Sequence, residues 1–146
     1  MLQSSEAGKF TLKLALVDLG SVVTGAIDNF QPYAKTLGAK LQLTQKVLGH
    51  LMPHAMKGDY ERYLADASIF MEFFSLIIMS WTWLDLGVHA TKAAKSNGTY
   101  SKEFYESKIH TMKFYFKYEL PKTLSLAETL MSDEVLTIKE DTEYIV

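Results

Sequence analysis

The sequence predicts an all-α protein, folded as an up-down-up-down antiparallel four-helix bundle, on three observations. Apolar residues recur at helical spacing in four segments, and turn signals separate those segments over short distances. No stretch alternates apolar and polar residues for long enough to build a sheet. Long amphipathic helices joined by short connections pack as antiparallel neighbours. At 146 residues the chain has the size of one domain and can bury a substantial core.

The first segment runs from about Ser5 to Asp28. Leu12, Leu16, Leu19, Val23 and Ile27 follow one another at intervals of 4, 3, 4 and 4, which is one stripe of a helix. Gly20 and Gly25 lie inside it, each costing about 1 kcal/mol relative to alanine. They either weaken the helix locally or admit a neighbouring backbone. Asp28 to Pro32 ends this helix and starts a second, with Pro32 suited to a first helical turn. The second stripe is Leu37, Leu41, Thr44, Leu48, Leu51 and Ala55, and Pro53 is expected to bend or shorten its last turn. Lys57-Gly58-Asp59 then supplies a C-terminal glycine and the next N-cap.

The third segment, Asp59 to Ser96, reads as one very long helix that is apolar around most of its girth. From Ile69 to Leu84 the one charged residue is Glu72. Such a helix is surrounded by other elements or crosses a membrane. Only the twelve residues 73–84 separate Glu72 from Asp85, whereas a span needs roughly 20 apolar positions. The expectation is therefore the central helix of a soluble bundle with no membrane contact. Ser96-Asn97-Gly98-Thr99 is the clearest turn, and Thr99 or Ser101 caps the next helix. The fourth stripe is Tyr105, Ile109, Met112, Phe116 and Leu120, continued past Pro121 by Leu124, Ala127 and Met131. This predicts a kinked but continuous helix. The bundle domain is placed at residues 1–132, and residues 133–146 form an acidic tail that docks weakly or frays.

Composition excludes several classes of function. Formal net charge is −2, and Arg62 is the single arginine, so neither nucleic-acid binding nor bidentate phosphate recognition is expected. The absence of cysteine removes disulfides, thiolate zinc sites and cysteine nucleophiles. The N-terminal residues MLQSSEAGKF show no basic start followed by an apolar run, so a cytoplasmic location is expected.

Few residues suggest chemistry. His50 and His54 are four apart, which places both imidazoles on one helical face, as a metal pair requires. Pro53 lies between them and local sequence fixes no third ligand, so a solvated or capping pair is the simpler explanation. The Glu-x-x-His motif of di-metal bundles is absent; Asp85 with His89 and Glu106 with His110 are spaced for pairing along a helix. Glu72 interrupts the most apolar stretch. A carboxyl buried there without a cation would be a base candidate, whereas one on a polar seam, or paired with a lysine, would be structural; Asp85 poses the same choice. Residues 104–122 interleave lysines with aromatics, which predicts an aromatic core face and a solvated lysine face. Trp81 and Trp83, with Phe70, Phe73 and Phe74, read as packing. No glycine-rich phosphate loop, nucleophile elbow or dinucleotide fingerprint occurs. The expectation is no catalytic and no cofactor-binding residue, with His50 and His54 as the metal candidates.

The order of PYAKTLGAKLQLTQKVLGHLM (32–52), GDYERYLADASIFMEFFSLIIMSWTWL (58–84) and FYESKIHTMKFYFKYELPKTLSLAETLMS (104–132) resembles the extra C-terminal helical domain of one branch of the acyl-CoA dehydrogenase family. The resemblance covers roughly residues 5–132 and is carried by packing patterns rather than catalytic motifs. It implies a parent flavoenzyme that uses FAD to oxidise acyl-CoA to enoyl-CoA. It also implies that the flavin site, the thioester site and the catalytic glutamate belong to an upstream core with no counterpart here. The part played by this chain would be to pack on that core, support a homo-oligomer or shape the mouth of the substrate channel. The start at Met1 then suggests an expressed fragment or a truncated reading frame. Two rivals remain: a free-standing helical protein that dimerises through the aromatic faces of the third and fourth helices, and a metal-dependent enzyme built on His50, His54 and a carboxylate.

Overall fold

In the computed structural model, residues 28–138 are described, and all of their regular structure is helical. The predicted stripe from Leu12 to Ile27, with Gly20 and Gly25, lies outside the described residues. A 3-10 turn, Asp28–Phe30, leads into α1, Gln31–Met56. Pro32 occupies the first turn, where its missing N–H has no helical partner to lose. Of the two effects expected of Pro53, shortening does not occur, because the helix continues to Met56. The proline leaves only the Gly49 carbonyl without its usual donor. Gly49 is exposed, so water can take that place. Gly58 turns the chain with φ of +79°, and the Asp59 carboxylate accepts the Arg62 N–H at 3.1 Å. Both signals were legible in the sequence.

The long third segment is not one helix. It divides into α2, Tyr60–Leu64, and α3, Ala67–Lys95, at Asp66, whose φ and ψ are −110° and 32°. Two ties from distant residues hold the break. The Arg62 guanidinium donates from Nη2 to the Asp133 carbonyl at 2.7 Å, and the Thr137 hydroxyl donates to Asp66 Oδ1 at 3.0 Å. An aspartate with a local polar partner favours a helix end over a helix interior.

Within α3, Phe73, Leu76, Ile77, Ser80, Leu84, Gly87, Val88 and Ala90 are buried. They meet Leu37, Leu41 and Val47 of α1 and Met112, Phe116 and Leu120 further along in one core. A Cβ on Gly87 would stand 2.7 Å from Met112 Sδ and 3.3 Å from Phe30 Cε1, so the start of α1 lies beside the C-terminal half of α3. At the other end, Leu51 of α1 and Phe70 of α3 line one cavity together with Leu130. The chain therefore runs along α3 in the direction opposite to α1. Three hydroxyls share the core, and each is satisfied by a backbone carbonyl three or four residues earlier. Ser80 donates to the Leu76 carbonyl at 2.7 Å, Thr44 to that of Lys40 at 2.9 Å and Thr123 to that of Leu120 at 2.6 Å. Trp81 and Trp83 are half-buried against this core, as their packing role requires; the indole N–H of Trp81 is buried with no partner among the described residues.

The turn after Lys95 is the one expected. Asn97 adopts φ of 52°, and the Gly98 N–H returns to the Ala93 carbonyl at 2.9 Å. A Cβ at Gly98 would collide with the Tyr105 hydroxyl, which here accepts the Tyr100 N–H at 3.2 Å. Ser101, rather than Thr99, caps α4, Lys102–Phe114, accepting the Phe104 N–H at 3.3 Å. A hydrogen bond from its own backbone, then one from Ser101, holds the Glu103 carboxyl below its usual range at this helix start.

The kink at Pro121 takes a specific form. A π turn, Tyr115–Glu119, and a 3-10 turn, Leu120–Lys122, separate α4 from α5, Thr123–Leu130. The wide turn sends the Leu120 N–H to the Tyr115 carbonyl, five residues back, just before the proline that cannot donate. This change of pitch rotates the inward stripe. Thr123 is buried while Leu124, an expected stripe residue, is 56% exposed. The aromatic run is also more mixed than expected: Tyr105 and Phe116 are buried, but Phe104, Phe114 and Tyr118 are exposed. Lysines lie over two of those outer rings, Lys108 at 4.7 Å from Phe104 and Lys117 at 5.2 Å from Tyr118.

Candidate docking face and terminal cavity

The face of α3 turned away from the core carries an incomplete apolar stripe. Met71, Ser75, Met79, Thr82, Leu86 and His89 recur at intervals of 4, 4, 3, 4 and 3. Met71 is 60% exposed, Met79 42% and Leu86 43%. Glu72 stands beside this stripe and is exposed, so it is not a carboxyl sequestered in the core. Asp85 pairs along the helix with His89, Oδ1 to Nδ1 at 3.4 Å, as the spacing anticipates. Glu106 takes Lys102 instead of His110, at 3.5 Å. By length and composition alone α3 is apolar enough to cross a bilayer. Counting only the twelve residues between two acids therefore understated it, because a stretch of that length and apolarity can include a charged residue.

His50 and His54 project from the last turns of α1 with ring centroids 6.1 Å apart. Among the described residues no group of three or more His, Cys, Asp or Glu side chains converges as metal ligands would. The two histidines instead border a cavity of about 80 Å³ between the end of α1, the α2–α3 junction and the segment after α5. Its apolar walls are Leu48, Leu51, Phe70, Leu130 and Val135, and Arg62 and Asp66 stand at its polar side. The segment from Ser132 to Ile138 crosses over it, held by the two ties of Arg62 and Thr137. Asp133 and Thr137 of the expected tail thus touch the α2–α3 junction; residues 139–146 lie outside the described set. Sequence reading missed this cavity, whose walls come from segments that only the fold brings together.

A second, open trough of about 590 Å³ runs beside Lys35, Lys40 and Lys46 on α1, with Leu124 opposite. Partial burial lowers the pKa of the Lys40 ammonium. A dinucleotide cofactor such as FAD needs an enclosed, largely apolar site of about 300–1,000 Å³ with a few convergent polar groups. The first cavity is too small and the trough is open to solvent.

The family described as "Acetyl-CoA dehydrogenase C-terminal like" matches residues 15–139. The chain belongs to that family, the C-terminal accessory domains of acyl-CoA dehydrogenases. No curated protein and no solved structure matches.

Proposed function

We propose that this chain is a non-catalytic accessory domain that packs on the catalytic core of an FAD-dependent acyl-CoA dehydrogenase through the outer face of α3. The observation that carries this reading is the two-sidedness of that helix. Its inner face is buried from Phe73 to Ala90, while Met71, Met79 and Leu86 lie uncovered on the other side. Isolated exposed apolar residues are ordinary, but a row of them along a central helix is the signature of a contact surface. On this reading residues 5–28 add the first helix of an up-down-up-down antiparallel bundle. The domain then supports the parent's oligomer or borders the mouth of its acyl channel, in the cytoplasm. The face meets protein rather than lipid, because Ser75, Thr82 and His89 interrupt its apolar row and Glu72 stands beside it. A formal net charge of −2 and a single arginine, Arg62, argue against nucleic acid as the partner.

The test is direct. Purified chain incubated with excess FAD and then dialysed is expected to be colourless and to leave the parent's acyl-CoA oxidation to the core. Retention of one flavin per chain, read from the visible spectrum, would overturn the assignment of all flavin contacts to the core.

A further inference from the structure

We infer that the cavity beneath the Ser132–Ile138 segment is a binding site for a small organic carboxylate with an apolar tail, anchored by Arg62. The inference is independent of docking to a dehydrogenase core. Three observations carry it. The cavity of about 80 Å³ has apolar walls that include Leu51, Phe70, Leu130 and Val135. Space of this size holds an alkyl tail of about three carbons, given that an apolar cavity of about 150 Å³ takes up the six carbons of benzene. The second observation is the charge beside it. The Arg62 guanidinium faces the cavity and forms no ion pair with any carboxylate among the described residues; its one side-chain hydrogen bond goes to the neutral Asp133 carbonyl. A guanidinium has five N–H donors in a planar fork that matches a carboxylate, so most of its capacity is unused. The third observation is the competing acid. Asp66 Oδ1, the carboxylate on the same wall, already accepts the Thr137 hydroxyl. The imidazoles of His50 and His54 complete the polar side and add donors for a second carboxylate oxygen. The pair that sequence reading singled out for metal thus acquires a different role.

The probe is butanoate, with butanol and butylamine as matched controls, titrated into the full chain while the methyl signals of Leu51, Leu130 and Val135 are followed by NMR. Saturable shifts with butanoate, at least tenfold weaker with either control, are expected. Arg62→Gln keeps a donor for the Asp133 carbonyl but removes the charge, and is expected to weaken butanoate at least tenfold. Arg62→Lys retains the charge and is expected to stay nearer the parent than Arg62→Gln. Equal binding of butanoate and butanol, unchanged affinity in Arg62→Gln, or no saturation would each overturn the site. Saturation seen only after removal of residues 139–146 would also overturn it, by giving the cavity to the chain's own acidic end.

Discussion

Replacing Phe73 by alanine is expected to lower the unfolding free energy by about 3–5 kcal/mol, the range for deleting a large aromatic side chain from a core. Phe73 has no exposed surface and sits where α3 meets the rest of the core, with the Phe70 ring 6.3 Å away. Its neighbours are held by long helices on both sides, so the void cannot collapse fully and the cavity contribution persists. Because a domain of this size is stable by only about 5–15 kcal/mol, the variant should be marginal at ordinary temperature. Equilibrium urea unfolding measures the loss. A change below about 1 kcal/mol would mean that α3 is not the centre of the core.

Placing lysine at both Met79 and Leu86 is expected to leave that free energy within about 0.5 kcal/mol, since surface substitutions away from special features change little. The same pair should abolish association. The uncovered row predicts that the isolated chain self-associates as its concentration rises, through the face that otherwise meets the dehydrogenase core. Two ammonium groups buried unpaired in that contact are expected to weaken it by about 100-fold or more. Sedimentation equilibrium of parent and double variant decides between the outcomes. A parent that remains monomeric at high concentration, or a variant that associates as well as the parent, would remove the outer face of α3 as the contact surface. The two experiments address opposite sides of a single helix. One side holds the fold, and among the described residues the other exposes Met71, Met79 and Leu86.

The legibility of each feature in the sequence depends on the range of the interactions that produce it. Gly58-Asp59 and Ser101 were legible because a positive φ and a capping carboxylate or hydroxyl act within three or four residues. The inward stripe up to Leu120 was legible for the same reason, since one helical pitch carries it. The break at Ala65–Asp66 was not. Its cause is two ties to Asp133 and Thr137, each 71 residues away in the chain. The exchange of Leu124 for Thr123 in the core was hidden in a π turn, which changes the pitch without leaving a sequence signal beyond Pro121. The simpler reading of Glu72, a polar seam of the helix, is the one observed, although α3 is apolar on nearly every side. A weakly amphipathic helix does not declare its wet face, and only packing shows that Glu72 lies there. His50 and His54 were correctly placed on one face, but the partners that give their position meaning come from α2, α3 and the segment after α5.

The coding DNA upstream of the Met1 codon tests the central claim most directly, because it distinguishes a part from a whole. An open frame continuous with a flavin-binding dehydrogenase core is the predicted result. A promoter and translation start immediately before Met1, with no dehydrogenase core encoded alongside, would contradict it and leave a free-standing helical interaction protein.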